Sequence, residues 1–111
     1  MGLPEVGTVV VIRFPFSNLK GSKLRPAIVI AQAEFDNLIL CQITSKPYTS
    51  TTAISLSKTN FSDGKLPITS FIRPDKIFTA DNSIIKSTVG HLDSTTLSLV
   101  MKTVRAQFSL R

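Results

Sequence analysis

The chain has 111 residues, of which 42% are apolar and 18% are charged. This size predicts one domain spanning residues 1–111, and the apolar fraction excludes dominant disorder because it suffices for a core. Its 13 Lys and Arg outnumber its 7 Asp and Glu, giving a net charge of +6 that favours a polyanionic partner, either nucleic acid or an acidic protein. No apolar run approaches the roughly 20 residues of a membrane span, and no signal peptide is visible, so we expect a cytoplasmic protein that does not bind membranes.

Metal and disulfide chemistry is not indicated by the sequence. Cys41 is the one cysteine, so no internal disulfide can form, and its apolar surroundings predict a buried side chain in a reducing compartment. His91 is the one histidine, which excludes a ribonuclease that uses two histidines of one chain as acid and base. Because the carboxylates are scattered without ligand-like spacing, we expect neither a metal nor a cofactor.

Short stretches rich in Val, Ile, Phe and Thr alternate with Pro and Gly, which predicts a small β-rich domain, a barrel or a sandwich. The expected strands, in chain order, are residues 8–14, 27–31, 38–44, 52–56 and 88–92. A polar, basic loop is expected over 17–25 and a second loop over 60–66. Residues 70–73 and 76–78 predict a strand pair or one kinked strand, with Pro74 at an edge or a bulge because it lacks a ladder N–H.

The last segment changes to a helical period. Apolar residues recur at i, i+3, i+4, i+7 and i+11, at Leu97, Val100, Met101, Val104 and Phe108. Asp93 precedes this stripe and is a favourable N-cap. We therefore expect a C-terminal amphipathic helix that packs its whole apolar stripe, Phe108 included, against the β-structure.

Three polar clusters lie next to the predicted strands. Lys20, Lys23 and Arg25 belong to the basic loop, which suits either phosphate contacts or plain solvation. Arg25 differs because Pro26 and a buried run follow it at once, and its guanidinium can donate two hydrogen bonds to one phosphate.

The other two clusters are also ambiguous by themselves. The segment Gln42-Ile43-Thr44-Ser45-Lys46 is the polar end of an apolar strand, and its two hydroxyls and ammonium suit either a phosphate site or an ordinary strand-to-loop transition. Arg73 and Asp75 are two residues apart on extended chain, so their side chains can project to the same side as a structural ion pair or an acid–base pair.

Four segments in order resemble the MazF/PemK-type toxins of bacterial toxin–antitoxin modules, and the first of them is similar to the PemK-like (Kid) branch. The segments are Thr8–Ile30 with its Phe-Pro-Phe and Leu-Arg-Pro-Ala motifs, Cys41–Lys46, Ser70–Asp81, and Gly90 through the terminal helix. The resemblance implies a mainly β fold, an SH3-like small barrel with a C-terminal helix, acting as a homodimer. It also implies a metal-independent, sequence-specific endoribonuclease that cleaves single-stranded RNA, leaving a 2′,3′-cyclic phosphate and a 5′-hydroxyl, and that is inhibited by an antitoxin with an acidic segment.

The family's catalytic residues transfer to this sequence in two ways. Resemblance to MazF assigns Arg25 and Thr44 as the catalytic pair, which we favour, whereas resemblance to PemK/Kid assigns Arg73 and Asp75 as acid and base. The residues expected to bind RNA are Lys20, Lys23, Ser45, Lys46 and Lys76. Two alternatives from other classes are a non-catalytic toxin of the same barrel class that poisons DNA gyrase, and an RNA-binding module that has lost catalysis.

Overall fold

A computed structural model describes residues 2–15, 21–47 and 50–109 of the chain. The strands are β1 (Thr8–Pro15), β2 (Ser22–Gln32), β3 (Asn37–Thr44), β4 (Ile54–Leu56), β5 (Phe61–Gly64), β6 (Ser70–Asp81) and β7 (Ile85–Leu92). One α-helix, α1, spans Ser94–Ala106, and short 3₁₀ turns lie at Lys58–Asn60 and Asn82–Ile84. Among the described residues, no helix is long and apolar enough to cross a membrane.

The strands form one antiparallel sheet in the order β4-β6-β3-β2-β1-β7-β5. The sheet curls into a half-barrel, and the expected fold class, mainly β with a C-terminal helix, is confirmed. The strands β2 and β3 lie near its centre, and beyond their last shared pair, Ala27 and Gln42, β2 stays paired with β1 and β3 with β6.

Both faces of the sheet are buried at its central strands, because apolar residues occupy consecutive positions of β1, β2 and β3. One core lies under α1 and comprises Val9, Ile28, Ile30, Cys41, Ile43, Ile54, Leu56, Ile72, Leu92, Val100 and Val104. The second core comprises Val10, Ile12, Ala27, Val29, Leu38 and Leu40, with Phe14 and Phe78 packed against it. The continuous apolar runs of the sequence therefore mark strands covered on both sides.

The C-terminal helix begins where the sequence predicts. The Asp93 side chain accepts a 2.7 Å hydrogen bond from the backbone N–H of Thr96, which satisfies one of the free donors of the first turn. Val100 and Val104 are buried in the core. The expectation for Phe108 is wrong, because the helix ends at Ala106 and Phe108 is 71% exposed.

Two expected loops contain strands. β2 begins at Ser22, so Lys23 and Arg25 lie on a strand paired with β1, opposite Phe14 and Ile12. The expected loop over 60–66 contains β5, which pairs with β7. Both segments are short and polar, and each is fixed by cross-strand hydrogen bonds rather than by its own composition.

Pro74 lies in a bulge of β6, as expected. Cys41 is paired with Ile77 and Ile43 with Ile72, so residues 73–76 all lie opposite the single residue Gln42. Proline is tolerated there because the regular hydrogen-bond ladder is interrupted. β6 is an interior strand of the sheet rather than a kinked edge strand.

We expect Gly90→Ala to destabilise the fold, because β5 and β7 approach too closely for a side chain there. A Cβ at Gly90 would collide with the carbonyl oxygen of Asp63 and lie 3.0 Å from the Cα of Gly64. Overpacking of this kind costs about 1–3 kcal/mol of unfolding free energy. Urea unfolding measures the loss, with Gly2→Ala as the control because nothing lies within 4 Å of a Cβ at Gly2. Equal unfolding midpoints for the two variants would contradict this packing argument.

Candidate functional site

An open cavity of about 280 Å³ lies against the ends of β2 and β3. Four of the predicted site residues line it, namely Lys23, Arg25, Thr44 and Ser45. The loop before β6 forms the opposite wall with Leu66, Pro67 and Ile68. The structure therefore brings together the basic segment and the polar strand end, which are separate clusters in the sequence.

The strand register places the two favoured residues on one face of the sheet. Ala27 lies opposite Gln42. Side chains alternate along a strand, so Arg25 shares the face of Ala27 and Thr44 shares the face of Gln42. Arg25 and Thr44 lie two residues beyond this last β2–β3 pair and both line the same cavity, so one phosphate bound at its opening can lie near both.

Thr44 is held by its own turn. Its hydroxyl Oγ1 accepts a 3.1 Å hydrogen bond from the backbone N–H of Lys46 and lies 3.3 Å from the Lys46 carbonyl oxygen, to which it donates. This local arrangement fixes the direction of the hydroxyl at the end of β3. A hydroxyl has one donor and two acceptor positions. Turning the Thr44 proton towards a ligand therefore breaks only the 3.3 Å bond to the Lys46 carbonyl oxygen and keeps the 3.1 Å bond from the Lys46 N–H.

Arg73 and Asp75 form a bidentate ion pair. Arg73 Nε lies 3.2 Å from Asp75 Oδ1, and Nη2 lies 3.1 Å from Oδ2. Their side chains are 18% and 42% exposed, and neither lines the cavity. Phe71 is opposite Thr44 in the register, so alternation places Arg73 on the same sheet face as Thr44, one strand further across.

The ion pair changes the acid–base properties of its members. The hydrogen bonds from Arg73 hold the pKa of Asp75 below its ordinary value of 3.8. A carboxylate with a lowered pKa is a weaker general base near neutral pH. In this conformation the pair is better suited to holding and orienting a substrate than to exchanging protons with it.

The remaining predicted residues are less closely grouped. Lys46 is exposed beside the Thr44 turn, and Lys76 is exposed in the β6 bulge. Lys20 lies outside the described residues. Within residues 2–15, 21–47 and 50–109, no group of three His, Cys, Asp or Glu is arranged to hold a metal ion.

His91 and Cys41 have structural surroundings. The His91 ring nitrogens lie 2.7 Å from the Leu92 carbonyl oxygen and 3.1 Å from that of Val6, so the ring connects β7 to the segment before β1. Burial raises the pKa of the Cys41 thiol to about 12, and the charge of Asp75 adds to the rise. A thiol with so high a pKa is a poor nucleophile.

The sequence analysis does not predict two features of this region. One of them, the apolar wall at Leu66–Ile68, has a signal in the sequence, because an apolar triplet inside a polar loop is unusual. The position of Gln42 opposite the bulge depends on strand register, for which the sequence contains no local signal.

Residues 5–108 match the family described as "PemK-like, MazF-like toxin of type II toxin-antitoxin system". Among curated proteins, none matches the chain in sequence. The chain is similar in structure to the MazE-MazF complex (Form-III) from Deinococcus radiodurans, with 16% identity, a TM-score of 0.77 and coverage of 99% of this chain and 100% of the other.

Two mycobacterial structures are also similar. One is an endoribonuclease in complex with its cognate antitoxin from a mycobacterial species, with 16% identity, a TM-score of 0.69 and coverage of 100% of this chain and 98% of the other. The second is the Mycobacterium tuberculosis toxin MazF-mt6, with 15% identity, a TM-score of 0.68 and coverage of 92% and 98%. At these identities the structural similarity establishes the fold.

We expect Arg73→Gln to raise the pKa of Asp75 towards its ordinary value of 3.8, because the hydrogen bonds from Arg73 are the largest cause of the lowering. An NMR pH titration of the Asp75 carboxyl measures the change. The stability that this ion pair contributes is fully present above the pKa that Asp75 has in the unfolded chain. It is lost as the pH falls through the lowered pKa that Asp75 has in the folded protein. The control is Lys76→Gln, which removes a nearby charge that contributes less. A larger rise in the control than in Arg73→Gln would contradict this assignment.

Proposed function

We propose that this protein, which belongs to the PemK-like, MazF-like family of type II toxin–antitoxin toxins, is an endoribonuclease that cleaves single-stranded RNA at specific sequences without a metal ion. The observation that carries the proposal is the placement of Arg25 and Thr44 on one face of neighbouring strands, at the strand ends that border an open cavity together with Lys23 and Ser45. Two cations and two hydroxyls beside one opening fit a phosphodiester of an RNA strand.

The proposed reaction uses the nucleophile that RNA itself contains. The ribose 2′-oxygen forms a bond to the adjacent phosphorus while the bond from phosphorus to the 5′-oxygen breaks. The 2′-hydroxyl proton passes to a base, and the departing 5′-oxygen receives a proton. The products are a 2′,3′-cyclic phosphate and a 5′-hydroxyl, and no external water or redox partner enters the step.

Arg25 and Thr44 carry the central roles in this proposal. The Arg25 guanidinium donates two hydrogen bonds to the non-bridging oxygens, where negative charge increases in the transition state, and it is the candidate proton donor to the 5′-oxygen. The Thr44 hydroxyl orients the phosphate from the neighbouring strand. Lys23, Ser45 and Lys46 bind the flanking phosphates around the cavity, and Lys20 belongs to the preceding basic segment.

Arg73 and Asp75 are the second candidate pair in this proposal. Their closed ion pair and the lowered pKa of Asp75 support a role in positioning RNA, with Lys76 beside them. Substrate binding that separates Asp75 from Arg73 would raise the pKa of the carboxylate and make it a better base. The acid–base assignment of this pair is therefore the alternative within the same proposal.

The proposed partner is an antitoxin with an acidic segment that covers the basic end of the sheet. The net charge of +6 supports it, because opposite charge favours association and excludes RNA from the same surface. Two of the similar structures are described as complexes with MazE or with a cognate antitoxin. We further propose that the toxin acts as a homodimer in the cytoplasm, where its RNA substrates are found.

We expect the wild-type protein to cut long single-stranded RNA at discrete sites in excess EDTA. Arg25→Ala should lower the cleavage rate about 100-fold or more, as loss of a donor to a developing negative charge does in other enzymes. The assay measures initial rates on one RNA and identifies a 5′-hydroxyl and a 2′,3′-cyclic phosphate at each cut.

Arg105→Ala is the matched control, because it removes the same charge from the exposed last turn of α1. It should retain nearly the wild-type rate. Absence of cuts by folded, antitoxin-free wild-type protein on varied RNAs would overturn the proposed catalysis. Equal activity of Arg25→Ala and wild type would overturn the role of Arg25.

A further inference from the structure

Gln42 occupies the position that connects the two candidate pairs. On the β2 side it lies opposite Ala27, whose face also contains Arg25. On the β6 side it lies opposite the bulge, residues 73–76, which contains both members of the Arg73–Asp75 ion pair. Thr44 is on the same face of β3, about 6.6 Å further along the strand. A strand of RNA that contacts both Arg25 and Arg73 on this face crosses β3 next to Gln42 or Thr44.

The Gln42 side chain is half-buried, and within residues 2–15, 21–47 and 50–109 its carboxamide makes no hydrogen bond. The carboxamide has two donors and one acceptor oxygen. A bound molecule that displaces water from this position must replace those hydrogen bonds, because an unsatisfied polar group is costly once water is excluded.

An aromatic pair lies beside Gln42 on the same face. Phe78 is opposite Leu40, the residue two positions before Gln42. Phe14 is opposite Lys23, two positions before Arg25. The two rings meet edge to face across the concave sheet, with centroids 5.5 Å apart and planes at 87°. Half-buried rings of this kind provide apolar surface on which a base can lie.

The geometry points to a nucleobase subsite at Gln42, in which the carboxamide hydrogen-bonds the edge of the base next to the scissile phosphate. This inference rests on the proposed function and names a specificity-determining residue for it. The base lies against the Phe14–Phe78 pair, and its flanking phosphates are held by Arg25 on one side and Arg73 on the other.

The residue type supports a base rather than a phosphate as the ligand of Gln42. Arg and Lys side chains surround the position and bind phosphate more strongly than a neutral amide does. A carboxamide presents a donor and an acceptor together, which matches the paired donor and acceptor groups on base edges. Gln42 therefore adds sequence discrimination that the surrounding cations lack.

The test maps cleavage of a randomised single-stranded RNA pool by wild type, Gln42→Ala and Gln42→Glu. Gln42→Ala should lose base preference at one position by about tenfold, the order of one lost base-edge contact. On the best cleavage sequence its KM should rise while kcat stays within about threefold, since the phosphate contacts remain. Gln42→Glu, which can only accept hydrogen bonds when ionised, should change which base is preferred at that position.

Gln107→Ala is the control, because that carboxamide is exposed beyond α1 and donates a hydrogen bond to the Thr103 carbonyl oxygen, away from the candidate site. Thermal unfolding of each variant shows whether the fold persists. Unchanged preference and KM in both folded Gln42 variants overturn the subsite and leave the proposed function intact. A fall in kcat with unchanged preference also overturns it, because Gln42 would then support the fold of the site alone. Absence of cuts by wild type overturns the proposed function and this inference with it.

Discussion

The antiparallel pairing of β2, β3 and β6 is the constraint on which the candidate site depends. Because Ala27 lies opposite Gln42 and Thr44 opposite Phe71, residues from three separate parts of the sequence form one polar row at the strand ends. A shift of one residue in either ladder would move Arg25 or Arg73 to the opposite face. The apolar residues of both cores oppose such a shift, since it would also expose them to water. Packing energy thus fixes the positions of charged groups that contribute little to stability themselves.

Buried apolar residues and charged residues occupy different parts of β2 and β3. β2 and β3 bury most residues of their central parts, and at the end where the cavity opens they carry Lys23, Arg25 and Thr44. Lys23 and Arg25 there lie on backbone paired with β1, so binding a polyanion requires little ordering of that backbone. The bulge in β6 also positions charged groups, because it releases residues 73–76 from the hydrogen-bond ladder and allows Arg73 and Asp75 to form their ion pair.

Much of the fold and part of the site could be predicted from local sequence patterns. Strand periodicity, the Asp93 cap and the helical stripe identified most elements, and Arg25 and Thr44 stand out because each adjoins a buried strand. Phe108 was misplaced because periodicity alone does not show where a helix ends. The polar composition of the start of β2 and of β5 predicts loops, but both form strands because pairing with distant strands outweighs that composition. Gln42 was not identified as a site residue because its relation to Arg73 exists only in the register of β3 with β6.

The central claim is that RNA binds along the polar row across β2, β3 and β6. The most direct measurement is NMR titration of the wild-type protein with an RNA in which the attacking 2′-oxygen is methylated, so that it binds but cannot be cleaved. The account predicts chemical-shift changes concentrated at Arg25, Thr44 and the residue 73–76 bulge, weakening as salt is raised because phosphate contacts dominate affinity. Changes confined to α1, or to the β2–β3 turn at the far end of these strands, would contradict it.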